Sequence, residues 1–591
     1  MKYIDLVEVY KNLEATTKRL EKTFIISEFL KKIPEEDLKI AALLLQGRVF
    51  PNWDERKIGV ASRLVLKAIN KSTGISPIKI EKEWAKIGDL GDVAETHIKE
   101  KKQVTLFSKS LTVKKVFDNI QKLATLEGQG TVNNKIGLIS ELLTSAKPLE
   151  AKYIVRTLLE ELRVGTAKGT LRDSIVWAFF PKAKVTYNKE EKSIDVEDRE
   201  KYNQIVELVQ EAYDMSNDFS LVVEMAKKGK IETISLTIGT PIKVMLGPKE
   251  EDAKSALERV GTPAQAEFKY DGFRIQIHKT ENKILLFTRN LENVTNQFPE
   301  VIEYVKDYIK GESFILDAEA VGFSAKTGEY LPFQNISQRI KRKHNIHQIA
   351  KEYPVELNIF DCMSYNEENL LKEPLKKRRE IIEKIIQPIE KKIVISTAKI
   401  VKNEEDIIKF FKESLKAGNE GLMLKKLDAP YKPGARVGNW VKLKETEEPF
   451  DLVITEAEWG EGKRAKWLSS FTLACLDEND EFVTIGKVGT GIKEKITIKS
   501  ENEEIKTEKV TFDQLTKLLK PLEINQKGKI VKVKPQIVVE IAYEEIQKSP
   551  TYSSGFALRF PRVLRLRHME RSAKDIITLK EVKKYYSKQT K

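Results

Sequence analysis

The segment 267–274 reads Glu-Phe-Lys-Tyr-Asp-Gly-Phe-Arg and holds the residue types best suited to covalent chemistry. Lys269 stands two residues before Asp271 and five before Arg274. A positively charged neighbour such as Arg274 favours the neutral form of a lysine, and a neutral lysine is a nucleophile. Phosphate is its natural electrophile, because arginine and lysine side chains hold phosphate oxygens. The spacing therefore predicts a lysine that attacks a phosphate group.

The residues around Lys269 also predict the element that positions it. From Phe273 onward apolar and polar side chains alternate, and a period of two is typical of a half-buried strand. Lys269 and Asp271 are then expected at the mouth of this strand. Gly272 permits a backbone turn there that a side chain would block. A surface lysine beside a hairpin turn is the alternative interpretation of the same eight residues.

Three regions follow one another along the chain. Residues 1–236 have apolar side chains at helical spacing and predict an all-α region. A segment rich in Gly and Pro, 239–248, marks a boundary, and residues 237–445 then mix strands with helices as in an α/β domain. From 446 to 591, short strands separated by glycine turns predict a small β-barrel, followed by a charged helical tail from about Lys574.

The predicted elements have definite bounds. In the α/β region the strands are 273–279, 283–288, 313–323, 355–363, 420–426 and 439–444, and the helices include 299–310 and 404–417. In the barrel the strands are 451–459, 470–476, 482–487 and 537–543. Residues 188–201 are predicted as a loop or hairpin. Residues 152–172 combine a helix with a basic, Gly-containing turn, a pattern that suits phosphate contacts and equally an ordinary solvated helix face.

Composition narrows the class of protein. The 591 residues carry 103 Lys and Arg against 89 Asp and Glu, a net charge of +14, which favours a polyanionic partner over a generally charged surface. Two cysteines exclude a disulfide framework and a four-cysteine zinc site, and the five histidines form no metal-binding pattern. No stretch approaches the roughly 18 apolar residues of a membrane span. The acidic N-terminal residues exclude a signal peptide, so we expect an intracellular protein.

Further motifs follow Lys269 in a definite order. They are Thr288-Arg289-Asn290, Asp317-Ala318-Glu319, Asn358-Ile359-Phe360-Asp361, Glu420-Gly421-Leu422-Met423-Leu424-Lys425, Trp440-Val441-Lys442-Leu443-Lys444, residues 458–464 and residues 554–562. With Lys-x-Asp-Gly-x-Arg, this set resembles the ATP-dependent DNA ligases in order and approximate spacing. Residues 156–171 and 241–246 resemble the helical DNA-binding domain of archaeal and eukaryotic replicative ligases. The resemblance covers essentially the whole chain.

The resemblance implies a multidomain fold and a three-step reaction. The domains would be an all-α DNA-binding domain (1–236), an α/β nucleotidyltransferase or adenylation domain (237–445) and a β-barrel OB-fold domain (446–591). Lys269 would attack the α-phosphate of ATP and become a lysyl-AMP. AMP would then pass to the 5′-phosphate of a nick in duplex DNA, and the 3′-hydroxyl would displace it, in DNA replication, repair and recombination. Positioning and charge neutralisation supply the catalysis in such phosphoryl transfers.

The resemblance also implies roles for individual residues. Glu267 and Phe360 would hold the adenine, Arg274 and Arg289 the ribose and phosphate region, and Glu319 the ribose or a metal ion. Glu420 would be a second carboxylate directed to the metal, which we expect to be Mg²⁺ with Mn²⁺ as a substitute. The remaining residues implied for the phosphates and the active site are Asp271, Arg436, Lys442, Lys444, Arg559 and Arg562.

Several of these residues have plain structural interpretations when taken singly. Alternation places Asp317 and Glu319 on one face of a strand, which suits Mg²⁺ but also a solvated edge strand. Phe360 lies in an apolar run and is by default a core residue. Lys442 and Lys444 alternate with apolar residues as in any amphipathic strand. Only the joint order of the motifs favours a nucleotide site.

One part of the barrel departs from the family pattern. After Arg567 the ligases usually have an aspartate and then a lysine, in the pattern Arg-x-Asp-Lys. Here Met569 and Glu570 stand at those positions. Since these barrel residues help to orient ATP and pyrophosphate in the family, the departure bears on the efficiency and nucleotide choice of self-adenylation.

The expected partners are nicked double-stranded DNA, bound by a monomer through its backbone without base readout, and a sliding clamp. The clamp expectation rests on residues 101–107, which resemble a shortened clamp-binding motif in which Gln103 is followed by Leu106 and Phe107. Two exposed apolar anchors would suit a pocket on the clamp. The alternative is that Leu106 and Phe107 pack into the helical core.

Three other functions fit the sequence less well than that of a DNA ligase. An RNA ligase or capping enzyme needs no helical region as large as 1–236. An NAD-dependent ligase would carry zinc-binding cysteines, which this chain lacks. A non-catalytic scaffold for nicks or clamps would not need the intact set of Lys269, Glu319, Glu420, Lys442 and Lys444.

Overall fold

The computed structural model describes residues 1–100, 110–340, 342, 344–434, 438–444, 447–460, 464–494 and 510–589. The chain divides into two compact units, Met1–Lys444 and Glu445–Lys591. The domain boundaries drawn from the sequence at 236 and 445 stay predictions. Among the helices in the described ranges, none is long and apolar enough to cross a membrane.

The N-terminal part of the first unit is helical, as predicted. Its helices are α1 (Tyr3–Glu14), α2 (Arg19–Lys32), α3 (Glu35–Leu44), α4 (Ser62–Thr73), α5 (Pro77–Ile87), α6 (Leu90–Lys99), α7 (Val113–Thr125), α8 (Thr131–Ser145), α9 (Pro148–Leu158), α10 (Lys168–Phe179), α11 (Arg199–Ser216) and α12 (Phe219–Lys227). Strands β1 (Val185–Asn188) and β2 (Ser193–Val196) pair as a hairpin, in agreement with the prediction for 188–201. The apolar faces of these helices form one continuous core.

The basic residues of α9 stabilise the helical region internally. The Arg156 side chain is 4% exposed, and its Nη1 and Nη2 atoms lie 3.0 and 2.9 Å from carboxylate oxygens of Glu14 and Asp89. Lys152 Nζ lies 2.9 Å from a carboxylate oxygen of Asp92. A buried cation needs such counter-ions. These two residues therefore hold α1, α6 and α9 together, and the phosphate contacts that the sequence suggested for 152–172 do not come from them.

The rest of the first unit alternates strands and helices. They are β3 (Lys249–Glu250), α13 (Ala253–Val260), β4 (Ala264–Lys269), β5 (Phe273–Thr280), β6 (Lys283–Thr288), α14 (Pro299–Tyr308), β7 (Phe314–Gly322), α15 (Phe333–Ile340), α16 (Ile346–Glu352), β8 (Val355–Tyr365), β9 (Glu368–Asn369), α17 (Leu375–Ile385), β10 (Ile393–Ile395), β11 (Ala398–Val401), α18 (Glu404–Lys416), β12 (Gly421–Lys426) and β13 (Trp440–Lys444). All eight predicted elements of this region are present, whereas β4, which ends at Lys269, was not predicted.

These strands form two sheets that meet face to face. The first has the order β10-β8-β7-β5-β6, with β9 on β8, and the second has the order β11-β4-β12-β13-β3. Because side chains alternate across a strand, each sheet has an outer apolar face: α13 and α18 cover that of the second sheet. Between the inner faces, Phe360 of β8 and Trp440 of β13 belong to one apolar cluster. The polar side chains of both sheets therefore line a common cleft.

The second unit is mostly antiparallel β-structure. Its elements are β14 (Phe450–Trp459), β15 (Leu468–Leu476), β16 (Phe482–Val488), α19 (Phe512–Leu519), β17 (Glu523–Lys527), β18 (Ile530–Val533), β19 (Val538–Ala542), β20 (Glu545–Lys548), β21 (Phe556–Arg559), β22 (Arg562–Leu566) and α20 (Leu579–Gln589). The helical tail is confirmed, and it begins at Leu579 rather than at Lys574.

A closed barrel lies at the centre of this unit. Strand β14 pairs with β15 on one side and with β19 on the other. Strand β15 pairs with β16, and β19 with β22. The ring closes where the amide of Val563 in β22 donates to the carbonyl of Thr490, just after β16, at 3.0 Å. The order β14-β15-β16-β22-β19 is that of a small Greek-key barrel, which confirms the predicted all-β domain.

Candidate active site

Strand register brings two lysines to either side of a glycine. In the second sheet Lys269 of β4 lies opposite Gly421 of β12, and Gly421 lies opposite Lys444 of β13. Gly421 has φ +139°, and a Cβ there would lie 2.2 Å from the Leu443 carbonyl oxygen, so only glycine fits. The row Lys269–Gly421–Lys444 thus joins three closely spaced strands and brings two lysines to the same end of the sheet.

Glu420 provides the counter-charge for both lysines. Its carboxylate forms ion pairs with the Nζ atoms of Lys269 and Lys444. Its backbone N–H donates to the carbonyl of Lys269 at 2.8 Å, which fixes Glu420 at the end of β4. Burial would raise the pKa of the Glu420 carboxyl, but the two ammonium groups outweigh it and lower that pKa to about 2. Glu420 is therefore a carboxylate at any physiological pH.

Arg274 is paired with a buried carboxylate and a backbone carbonyl rather than with the groups around Lys269. Its Nε donates to Asp317 Oδ1 at 2.9 Å, and its Nη1 donates to the Met245 carbonyl at 2.8 Å. Asp317 is fully buried and requires a counter-ion, which Arg274 supplies. The expectation that Arg274 keeps Lys269 neutral is therefore corrected: the immediate partner of Lys269 is the carboxylate of Glu420, and that of Arg274 is Asp317.

Glu319 shares the cleft with these groups. It lies opposite Arg274 across β5 and β7, and alternation places it on the same face as Asp317, as predicted. Burial raises the pKa of Glu319 to about 7, although Lys269 and Arg274 act in the opposite direction. The carboxylates of Glu420 and Asp317 add to the rise. The cleft therefore holds a carboxyl group that an additional cation would ionise.

Glu267 and Phe360 lie close together, joined by a lysine that sequence analysis did not single out. Glu267 is 2% exposed, and its two carboxylate oxygens accept from Gln265 Nε2 at 2.5 Å and Lys425 Nζ at 2.6 Å. The same Nζ lies 4.5 Å from the ring centroid of Phe360 and 4.4 Å from that of Trp440. Burial lowers the pKa of Lys425. The sequence did contain a signal for Lys425, because alternation along β12 puts it on the same face of the sheet as Glu267.

Asp271 and Gly272 shape the turn after Lys269. The Asp271 carboxylate accepts from the backbone N–H of Phe333 at 3.2 Å, at the first residue of α15, where the helix favours a negative charge. A Cβ at Gly272 would lie 2.5 Å from the Ala320 carbonyl oxygen. Only glycine fits at this position, because β7 approaches closely. The sequence analysis also expected that a side chain would not fit here, but from a backbone turn.

For the remaining predicted residues of the first unit, the position is given by their neighbours along and across the strands. Arg289 is exposed and follows Thr288, which pairs with Ile275 next to Arg274. Lys442 lies opposite Met423, so its side chain leaves β13 on the same face as Lys444. Arg436 lies outside the described residues, as do Gln103, Leu106 and Phe107 of the suggested clamp motif.

The barrel residues are described within their own unit. Arg559 Nη1 donates to Glu545 Oε2 at 2.9 Å, and Arg562 is exposed at the start of β22. Met569 is 87% exposed, and a carboxylate oxygen of Glu570 lies 3.3 Å from Arg567 Nε. The departure from the family pattern thus concerns surface residues.

The described His, Cys, Asp and Glu side chains form no multi-ligand metal site. Among the described ranges, no group of three or more His, Cys, Asp and Glu residues could hold a metal ion. A structural metal site of the kind built entirely from protein ligands is therefore not present in this part of the chain.

Known families match successive parts of the chain. Residues 2–176 match a family model described as DNA ligase N terminus, residues 244–444 one described as ATP dependent DNA ligase domain, and residues 464–570 one described as ATP dependent DNA ligase C terminal region. The second match contains every residue of the row Lys269–Gly421–Lys444.

Curated relatives match over the full length. A DNA ligase of Nanoarchaeum equitans is 45% identical and is aligned over 100% of this chain and 99% of the relative. A DNA ligase of Thermococcus onnurineus is 38% identical over 99% of this chain and 98% of the relative. A solved structure named Pmar-Lig_Pre is 17% identical, covers 95% of this chain and superposes with a TM-score of 0.55, which supports the fold. By these full-length matches, the chain belongs to the ATP-dependent DNA ligases of archaeal type.

Proposed function

We propose that Lys269 is the residue that carries AMP in this DNA ligase. Its Nζ attacks the α-phosphorus of ATP, a nitrogen–phosphorus bond forms, the bond to the pyrophosphate oxygen breaks, and Nζ loses its extra protons. An oxygen of the 5′-phosphate at a nick then attacks the same phosphorus and releases the lysine. Finally the 3′-hydroxyl attacks the activated 5′-phosphate, AMP leaves, and the strand is sealed.

The row Lys269–Gly421–Lys444 is the observation that carries this proposal. It presents an amine at the end of a strand, a second ammonium two strands away, and a carboxylate that pairs with both. An α-phosphate that took the place of the Glu420 carboxylate would have its charge balanced by Lys444 while Lys269 attacks. Before the attack Glu420 must release Lys269, because a protonated amine in an ion pair is not a nucleophile.

The neighbouring residues suit the rest of the nucleotide. We assign the adenine to the region of Glu267, Lys425 and Phe360, where a carboxylate, an ammonium and an aromatic ring are buried side by side. We assign the ribose and phosphates to Arg274, Arg289, Glu319 and Lys442, with Arg436, Arg559 and Arg562 retained as predictions for the phosphates.

A magnesium ion fits the carboxylates of the cleft. Mg²⁺ is commonly held by one or two carboxylates together with water and substrate phosphates rather than by an all-protein cage. Burial is the main cause of the raised pKa of Glu319, and the Glu420 carboxylate adds to it, so these two carboxyl groups share the cleft. When bound, the ion would act as a Lewis acid at the phosphates. Glu420 would direct its charge to that ion and so release Lys269; Mn²⁺ is the expected substitute.

We further propose nicked duplex DNA as the substrate of the monomeric protein, with the reaction of the class of ATP-utilising DNA ligases, EC 6.5.1.1. The net charge of +14 supports contact with phosphates. A sliding clamp remains a proposed partner through Gln103, Leu106 and Phe107, which rests on the sequence resemblance alone.

The replacement Lys269→Arg tests the central assignment. Arginine keeps the positive charge beside Glu420 but stays protonated, so it does not attack phosphorus. With radiolabelled ATP we expect a covalent AMP adduct on the parent protein and none on the variant, while binding to nicked duplex is unchanged. Lys426→Arg is the matched control, since Lys426 is exposed at the end of the neighbouring strand, and should label like the parent. A labelled band on Lys269→Arg would contradict the assignment.

A further inference from the structure

The hydroxyl of Tyr431 joins three separate parts of the nucleotide site. It accepts from Arg274 Nη2 at 3.1 Å and from the backbone N–H of Met245 at 3.1 Å. It donates to Asp317 Oδ2 at 2.8 Å. A phenol has one hydrogen to donate and two lone pairs. Every hydrogen-bonding position of this hydroxyl is therefore used inside the site.

The Tyr431 ring is fixed so that the hydroxyl has little freedom. The side chain is 2% exposed. Its ring packs edge-on against Trp440, with centroids 5.7 Å apart and an angle of 89° between the ring planes. The guanidinium carbon of Arg378 lies 5.9 Å from the ring centroid, and the Tyr431 backbone N–H donates to Leu371 O at 2.8 Å. Burial, reinforced by Asp317, raises the pKa of Tyr431, so the phenol remains a donor.

The contacts of Arg274 leave it one donor for a ligand. A guanidinium has five N–H groups. Among the described residues Nε donates to Asp317, Nη1 to Met245 O, and Nη2 to Asp317 and to Tyr431. Four of the five N–H groups are thus occupied. Because the guanidinium is planar and rigid, these four bonds also fix the direction in which the fifth N–H points. Loss of the Tyr431 hydroxyl would free one Nη2 donor and allow the guanidinium to turn.

We propose that Tyr431 is a positioning residue for self-adenylation, whose hydroxyl holds Arg274 and Asp317 in the arrangement in which Arg274 contacts ATP. The inference rests on the proposed function, because it concerns the step in which Lys269 receives AMP. Tyr431 itself need not touch the nucleotide. It acts through Arg274.

The two segments that meet at the Tyr431 hydroxyl also contact the helical region. Lys432, next to Tyr431, has its Nζ 3.6 Å from a carboxylate oxygen of Glu207 in α11. Lys243, two residues before Met245, donates from Nζ to the Tyr213 hydroxyl of α11 at 3.3 Å. Both segments that meet at Tyr431 are thus also held by α11.

The first experiment compares Tyr431→Phe with the parent in self-adenylation by labelled ATP. The phenylalanine keeps the ring against Trp440 and removes only the hydroxyl. We expect the ATP concentration for half-maximal adenylation to rise about tenfold, the size of one buried hydrogen bond, with a much smaller change in the maximal rate. Tyr10→Phe is the matched control: it removes a buried hydroxyl that donates to Leu44 O at 2.9 Å in the helical region. It should melt earlier with unchanged ATP dependence.

A double-mutant cycle separates positioning from general support of the fold. If Tyr431 acts through Arg274, Tyr431→Phe should add little to the defect of Arg274→Lys, because contacting residues give non-additive effects. Fully additive effects, or parental ATP dependence in Tyr431→Phe, would overturn the inference. Asp317→Asn approaches the same hydrogen bond from its other end and replaces Tyr431→Phe if that variant does not fold. If the parent itself forms no AMP adduct, the proposed function fails instead.

Discussion

At the scale of single residues, Glu420 is shared between two cations. Its carboxylate pairs with both Lys269 and Lys444, and its backbone N–H is bonded to the carbonyl of Lys269. In this arrangement the Glu420 carboxylate is the shared counter-ion of the proposed attacking lysine and of its neighbour. We expect the charge of Glu420 to turn from the lysines to a bound metal ion, which would release Lys269 for its attack on ATP.

The variant Glu420→Gln tests this expectation. It keeps the size of the side chain and removes the charge, so the metal ion loses one of its two proposed carboxylates. We expect the Mg²⁺ concentration needed for half-maximal self-adenylation to rise at least about tenfold, with affinity for nicked duplex unchanged at constant salt. Titrations with Mg²⁺ and with Mn²⁺ measure this directly. Superimposable titration curves for variant and parent would rule out the metal role of Glu420.

At the scale of elements, strand β5 connects the nucleotide site to the segment that precedes the second sheet. His278 of β5 is fully buried, and its Nδ1 accepts from the backbone N–H of Gly239 at 3.0 Å. The proton must then reside on Nε2, which lies 3.2 Å from Gln276 Oε1. The neighbouring Gln276 also accepts from the backbone N–H of Ile242 at 3.2 Å. Burial lowers the pKa of His278 to about 3, so a neutral imidazole fastens this segment to the sheet.

We expect His278 to make stability depend on pH. Its pKa in the folded protein, about 3, lies below the ordinary 6.5. Its contribution to stability is therefore complete above pH 6.5 and is lost as the pH falls from 6.5 toward 3, because the unfolded chain binds the proton more readily. His278→Asn keeps an acceptor for Gly239 and does not titrate. Melting curves should show the parent losing more stability than the variant between pH 7 and pH 4.5; parallel losses would contradict this role.

The sequence predicts those parts of the fold that local pattern determines. Alternation predicted β5 and β7, and the motifs singled out Lys269 and Glu420, which the structure places in one ion pair. It did not identify β4, whose Ala-Gln-Ala-Glu start has small side chains and weak strand preference. Nor could it identify the partners of Arg274 and Lys425, because pairings such as that of Lys269 with Glu420 join residues 151 positions apart and depend on register between strands.

At the scale of the whole molecule, we expect AMP transfer and DNA binding to be carried out by different parts of the chain. The residues proposed for AMP transfer lie in the cleft between the two sheets. The helical region contributes none of these residues. The excess of 103 basic over 89 acidic residues is spread over the chain. Binding to duplex DNA should therefore be dominated by phosphate contacts and should weaken steeply with salt.

Removal of residues 1–236 should separate formation of the AMP adduct from sealing of nicked DNA. We expect the shortened protein to retain the AMP adduct on Lys269 and to lose sealing of nicked duplex by at least about a hundredfold at moderate salt, because phosphate contacts are lost. Adduct yield and sealing rate, each measured at two salt concentrations, test this. The shortened protein should lose less further activity than the full chain as salt rises. Sealing at the parental rate would show that the helical region is dispensable.

Trp440 gives the nucleotide site an optical reporter. Its indole is 2% exposed, lies 4.4 Å from the Lys425 ammonium and packs against both Phe360 and Tyr431. The emission of an indole responds to nearby charge and to stacking. The chain has six tryptophans, and this one adjoins the groups proposed to meet the adenine. Loading and unloading of AMP should therefore change the intrinsic fluorescence of the protein, so that each turnover can be followed in real time without a label on protein, nucleotide or DNA.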